Sequence, residues 1–221
     1  MAATGKTRGK YLGFVAHEIK NPLATALWSC DLLKRMEGVD RQGERAEKMI
    51  DVSLRALRRM RRLIDDYFTI ERLLENGYEL RREKVAMREL VETTMQLLKD
   101  KDAISTEGWT LEMQPIDVMG DGDMLRKCVR ALLEYMARGG PKTDKPKLSI
   151  SARPTETGWS ALLVRAEVPP APVLPPEPED RPSGDPTGAV LGYALAARIV
   201  EIHGGRLEEV EGGILLSLPP G

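Results

Sequence analysis

Cysteine and histidine are scarce in this chain, with two of each in 221 residues. Cys30 and Cys128 each fall on an apolar helical stripe with no partner at metal-ligand spacing, so both read as reduced core residues without chemistry. Neither sign of charge is in excess: 33 basic and 34 acidic side chains leave a net charge of −1, which excludes a global field that would attract nucleic acid or acidic lipid. No run of about 18 apolar residues exists to cross a membrane. The start, Met1-Ala2-Ala3-Thr4-Gly5-Lys6, lacks the apolar core of a secretory signal. The expectation is a cytoplasmic protein with no direct membrane insertion and no nucleic-acid partner. A phosphate-binding loop is missing too, since Gly5-Lys6-Thr7 has no glycine five positions earlier. What the chain does have is 42% hydrophobic residues, enough to build one large or two small packed domains.

One of the two histidines lies in His17-Glu18-Ile19-Lys20-Asn21-Pro22-Leu23. Leu12, Val15, Ile19, Pro22, Ala26, Cys30 and Leu33 recur at alternating steps of three and four, the pattern of a packed helix face. His17 lies off that stripe, on the wetter side with Lys20, Asn21 and Ala24. At neutral pH a water-facing imidazole is largely uncharged, so one ring nitrogen keeps a lone pair for attack on phosphorus. Glu18 is placed to accept or orient the proton on the other nitrogen. Pro22 has no amide to give the carbonyl of Glu18, which predicts a bend one turn after the histidine.

The next segment predicts a second long helix. Met49, Ser53, Ala56, Met60, Leu63, Tyr67, Ile70 and Leu74 alternate at four and three, and Leu57, Ile64 and Phe68 widen the stripe. Gly38-Val39-Asp40-Arg41-Gln42-Gly43 supplies a turn between the helices, hence an antiparallel pair. Stripes this wide are not buried by one hairpin, which implies a homodimeric four-helix bundle with the heptad stripe as its seam. A turn centred near residue 40 places His17 about 35 Å up the first helix, level with the region of Arg58, Arg59, Arg61 and Arg62. These arginines read either as a solvated basic face or as help for a phosphoryl group or a docking partner.

From about Gly77 the pattern changes. A strand is expected over 78–83, a helix over 87–99, a strand pair from 109–113 and 116–119, and a helix over 124–137. Paired strands follow over 147–152 and 160–167, then a helix over 189–203 ended by Gly204-Gly205, and a closing hairpin from 206–210 and 213–218. This is a layered α/β domain. Residues 169–186 hold eight of the fifteen prolines with Glu177, Glu179 and Asp180, and predict an extended or mobile segment.

The box from Tyr11-Leu12-Gly13-Phe14-Val15-Ala16 through Leu23 resembles the phosphoacceptor box of two-component sensor histidine kinases, seven consecutive positions matching from His17. The element order after residue 77 is similar to the ATP-binding catalytic domain of the same kinases, the sandwich shared with gyrase-type ATPases. The resemblance implies a dimerisation and histidine-phosphotransfer domain over 1–76 and a divergent catalytic domain over 77–221. It also implies His17, Glu18 and Asn21 as the phosphotransfer residues, Mg-ATP as cofactor, and a response-regulator receiver domain as partner. Nucleotide contacts carried over this way are Gly188, Leu191, Gly192, Glu134, Tyr135 and Glu167.

The chain departs from that family in its nucleotide boxes. Gly120-Asp121 is present, yet Ala131 and Tyr135 stand where the kinases place asparagine for Mg²⁺. Glu134, Asp121 and Asp123 are the substitute metal ligands within reach in the sequence. Ala166-Glu167-Val168-Pro169-Pro170 replaces the Asp-x-Gly-x-Gly that holds adenine, and Gly-x-Gly-x-Gly survives partly as Gly188-Ala189-Val190-Leu191-Gly192. His203 reads as a helix-end residue. Three functions fit: a histidine kinase that labels His17 from ATP and passes the phosphoryl group to a regulator aspartate, an ATP-independent histidine phosphotransferase, and a dimeric scaffold. The kinase is the primary expectation.

Overall fold

The computed structural model of the protein describes residues 12–75, 78–102, 104–138, 147–156, 158–167 and 189–219. They divide into two compact units, one reaching Glu71 and the other beginning at Arg72. The proline-rich stretch 169–186 lies outside the described residues.

The first unit is a helical hairpin. Helix α1 (Leu12–Arg35) continues through Pro22, and α2 (Glu44–Leu74) follows a 3-10 turn at Gly38–Gln42. Gly38 has φ +56°, the left-handed conformation that reverses the chain at least cost for glycine. Lys34 and Arg35 close α1 while Glu44 and Glu47 open α2, so each charge sits at the dipole end that favours it. Ser53 lies at the contact between the two helices: its hydroxyl donates to the Met49 carbonyl at 3.0 Å and lies 3.5 Å from the Ala26 carbonyl oxygen and 3.6 Å from Cys30 Sγ.

Burial in α1 runs through Val15, Glu18, Pro22, Ala26 and Ser29. The stripe therefore rotates by about one residue from the apolar pattern. Glu18 and Ser29 take inward positions expected for Ile19 and Cys30, and Cys30 is exposed rather than a core residue. On α2 the expected dimer seam is corrected in the same way. Ser53, Ala56, Leu63, Tyr67 and Ile70 are already buried in the single chain, while Ile50, Leu54, Leu57, Ile64 and Phe68 stay exposed, as do Leu23, Leu27 and Trp28 on α1.

The second unit is an α/β sandwich: β1 (Glu83–Ala86), α3 (Met87–Asp102), β2 (Thr110–Met113), β3 (Asp117–Gly120), α4 (Gly122–Arg138), β4 (Leu148–Pro154), β5 (Ser160–Ala166), α5 (Ala189–Ile202), β6 (Arg206–Val210) and β7 (Gly213–Leu218). A five-stranded sheet has the order β2-β4-β5-β7-β6, with β2 and β4 parallel and the other pairs antiparallel. Leu148, Ile150, Ala152, Leu162, Val164, Ile214, Leu216 and Leu218 form its buried face at the strand period of two. Helix α5 ends in a Schellman arrangement, with Gly204 at φ +74° and the Gly205 amide donating to Val200.

Two strand expectations are corrected. The first strand lies at Glu83–Ala86 rather than over 78–83. The strands near 109–113 and 116–119 do not pair with each other: β2 joins β4, and β3 forms a separate antiparallel pair with β1. Gln114 and Ile116 show the cause. The Gln114 amide donates to Ala152 in one sheet, and the Ile116 carbonyl accepts from Met87 beside the other, so the chain changes sheets across Pro115.

Candidate phosphotransfer site

The histidine and its carboxylate occupy opposite environments on adjacent positions of α1. His17 keeps 54% of its side chain exposed, whereas Glu18 keeps 3%. His17 Nδ1 lies 3.4 Å from Glu18 Oε1, and Glu18 Oε2 lies 3.8 Å from Arg59 Nη2 on α2. The rotated burial stripe creates this arrangement by turning Glu18 inward toward α2. A proton on Nδ1 directed at Glu18 leaves the lone pair on Nε2 for an incoming phosphorus. A carboxylate withdrawn from water and paired with arginine is also well placed to hold the ring and neutralise positive charge that develops on it. Asn21 is exposed one turn on, and its carbonyl accepts the Thr25 hydroxyl at 3.1 Å. Of the arginines level with His17, Arg59 reaches the pair, and Arg58 and Arg61 are exposed.

The residues expected to hold nucleotide are placed differently. Gly188 lies outside the described residues. Leu191 is buried in the core, and Gly192 faces α4, where a Cβ would stand 3.5 Å from Ala131 Cβ and 3.9 Å from its Cα. A side chain at this position would thus meet α4 at ordinary van der Waals distance. Tyr135 is buried with its ring 5.7 Å from that of Tyr193. Burial, and then Glu209, push the Tyr193 hydroxyl pKa above its ordinary value. Glu167 is exposed, and its Oε2 is 3.3 Å from Lys147 Nζ.

The three carboxylates expected to share a cation are kept apart. Asp121 is buried and caps α4: it accepts the Tyr78 hydroxyl at 2.8 Å, the Met124 amide at 3.1 Å and the Arg81 amide at 3.3 Å. Burial alone would raise its pKa, but the bonds from Met124, Tyr78 and Arg81 outweigh burial and hold the carboxyl below its ordinary value. Asp123 is exposed and pairs with Arg126 at 2.7 Å. Glu134 lies about 16 Å further along the helix axis at 1.5 Å per residue, with its Oε1 3.8 Å from Arg130 Nε. Among the described residues no three His, Cys, Asp or Glu side chains are grouped to hold a metal ion.

His203 has a larger structural part than a helix end requires. It is buried, its Nε2 accepts the Asp121 amide at 3.0 Å, and its Nδ1 donates to the Ile199 carbonyl at 2.7 Å. Both bonds together demand the neutral ring, and burial lowers its pKa. Gly120 lets the ring approach, since a Cβ there would stand 2.9 Å from His203 Cδ2. The signal in the sequence is His203-Gly204-Gly205, but its distant partner Asp121 is brought in by the fold.

Residues 7–76 match the His Kinase A (phospho-acceptor) domain. The sensor protein VanS of Enterococcus faecium is 25% identical over 206 residues, covering 88% of this chain and 51% of VanS. The chain thus spans about half the length of that curated relative. Among solved structures, the Acinetobacter baumannii histidine kinase AdeS superposes with a TM-score of 0.66 at 16% identity, over 92% of this chain and 97% of AdeS. Histidine kinase ThkA, solved in complex with the response regulator protein TrrA, gives 0.61 at 20% identity, over 96% of this chain and 62% of that one. These two share the fold across both units. The hairpin that exposes His17 therefore carries the phospho-acceptor match, and the chain as a whole is similar to two-component sensor histidine kinases.

Proposed function

We propose that His17 accepts a phosphoryl group and passes it to an aspartate of a response-regulator receiver domain. Residues 1–76 are the dimerisation and phosphotransfer domain in this reading, and 77–221 a divergent catalytic-type domain. The observation that carries it is the exposed His17 imidazole held by a buried Glu18. A nucleophile must be reachable by a protein-sized partner, while the group that holds its proton works best withdrawn from water. Glu18 orients Nδ1 in the transfer, and Asn21 lines the same exposed face. A receiver is the partner that the regulator complex of ThkA supports. The exposed apolar residues of α1 and α2 support a homodimer. No helix among the described residues is long and apolar enough to cross a membrane, in keeping with work in the cytoplasm.

Similarity to histidine kinases supports Mg-ATP as the phosphoryl donor, which when bound would supply its γ-phosphoryl group. The described residues do not fit it: Asp121 already accepts from three donors as a helix cap, Tyr135 and Leu191 are buried, and Asp121, Asp123 and Glu134 form no common metal group.

The acceptor is tested by offering the purified chain two labelled donors, Mg-ATP and purified receiver domains charged with labelled acetyl phosphate. Acid-labile, base-stable label is expected on the chain and is abolished in His17→Gln. Label that persists in His17→Gln, or none from either donor, would overturn the assignment.

A further inference from the structure

We infer that the phosphoryl group reaches His17 from the aspartyl phosphate of a receiver domain, not from ATP. The inference rests on His17 being the phosphoacceptor, and concerns where its phosphoryl group comes from.

Among the described residues, the α4–α5 seam that carries Ala131, Tyr135 and Gly192 is closed by protein contacts. A Cβ added at Gly192 would stand 3.5 Å from Ala131 Cβ, the Tyr135 and Tyr193 rings are 5.7 Å apart, and Cys128 Sγ lies 3.8 Å from the Ala196 carbonyl oxygen. A nucleotide site needs a cleft with a few convergent polar groups. Here the buried surfaces are those of Leu191, Leu195 and Ala196, and separating α4 from α5 to admit a base would expose them. The polar groups nearby have other duties: Asp121 caps a helix, and Glu134 and Glu167 stand beside Arg130 and Lys147. Among the described residues, a cleft of about 450 Å³ is lined by Glu112, Ser151, Arg153, Leu163 and Arg165. The last four alternate with buried Ile150, Ala152, Leu162 and Val164, so the cleft opens on the far face of the sheet from α4 and α5.

The acceptor end keeps its groups. His17 Nε2 attacks the phosphorus of an acyl phosphate, the bond from phosphorus to the aspartate oxygen breaks, and its electron pair leaves on the carboxylate. The new N–P bond makes the ring an imidazolium that still carries its Nδ1 proton, 3.4 Å from the Glu18 carboxylate. No nucleotide and no further reactant is consumed, and the same step run backward delivers the group to a second receiver.

The experiment uses the full chain and the receiver domains encoded in its source genome. Each receiver is purified, phosphorylated with labelled acetyl phosphate, freed of that reagent, and mixed with the chain; a parallel sample receives labelled ATP and magnesium. Label on His17 from at least one receiver is expected, with at least about a hundredfold less from ATP. Ala131 and Tyr135 offer no side-chain amide to a metal or phosphate, and two such missing ligands weaken nucleotide binding by about two to four orders of magnitude. Calorimetry with Mg-ATP at millimolar concentration should show no heat. Label on His17 from ATP at a comparable rate would overturn the inference and leave the phosphoacceptor assignment standing. Label from neither donor would instead overturn that assignment, and the inference with it.

Discussion

The two units handle exposed apolar surface in opposite ways. The hairpin leaves Leu23, Leu27, Trp28, Ile50, Leu54, Leu57, Ile64 and Phe68 in water, whereas the α/β unit exposes one large apolar side chain among the described residues, Met119. Chemistry divides along the same line. In the hairpin the His17 imidazole faces out and the neighbouring Glu18 carboxylate faces in; in the α/β unit the described positions expected to hold metal and nucleotide serve as a helix cap, ring contacts and helix packing. Likeness of fold therefore does not by itself carry the site, which has to be argued from its residues. One unit is built to be covered and touched, the other to be self-sufficient.

The comparison is broken most severely by charging the hairpin's exposed stripe. Leu57→Glu with Phe68→Glu leaves the buried set of Leu63 and Tyr67 intact, so the hairpin should still fold. Two carboxylates buried in a homodimer seam cost at least about 4 kcal/mol, about a thousandfold in dissociation constant. Sedimentation at micromolar concentration is expected to show a dimer for the parent chain and a monomer for the double variant. A monomeric parent would mean that something other than a second copy covers this stripe.

A smaller effect sharpens the contrast at the site itself. Glu18→Gln keeps the size of the side chain and removes its charge, and should slow phosphoryl uptake by His17 by about a hundredfold, the lower range for a positioned acid or base. Arg59→Met acts on the ring through Glu18 and should cost about tenfold, with Arg59→Lys restoring most of the rate, since the 3.8 Å contact is electrostatic and lacks bidentate geometry. Arg58→Met is the control. An equal loss there would show that general positive charge, not the Glu18–Arg59 pair, sets the rate.

What can be read from the sequence follows how local each signal is. The box from His17 to Leu23 is contiguous and sits within two helical turns, so its recognition needs no knowledge of distant partners. Helix spans and the closing hairpin are legible for the same reason, with Gly38, Gly204 and Gly212 at positive φ marking chain reversals. Strand pairing is not legible, because Thr110–Met113 looks across the chain to β4 and the three-residue link at Pro115 resembles a hairpin turn. The burial stripe of α1 departs from the apolar pattern because two polar residues, Glu18 and Ser29, hold inward positions. Periodicity of apolar residues cannot see a carboxylate buried for a purpose. Nor does the sequence show that Asp121 and His203, 82 positions apart, bond each other.

The finest difference between the units is their response to acid. His203 makes both of its bonds only as a neutral ring, accepting from the Asp121 amide and donating to the Ile199 carbonyl. Burial lowers its pKa; the Ile199 bond and the Asp121 charge act against that, and Arg82 adds to it. Its folded pKa thus lies below the ordinary histidine value, and the unfolded chain takes up the proton first. The stability it contributes is complete above that ordinary value, about 6.5, and is lost as pH falls through the lowered one. Asp121 adds a separate window at lower pH, where its depressed carboxyl is finally protonated. Urea unfolding of a Trp28→Phe chain, followed by the fluorescence of Trp109 and Trp159, reports on the α/β unit alone. Its midpoint should fall as the pH drops from about 7.5 to about 5, and His203→Gln should flatten that dependence while lowering the midpoint throughout. A variant that keeps the full slope would show that the pH response comes from elsewhere in the α/β unit.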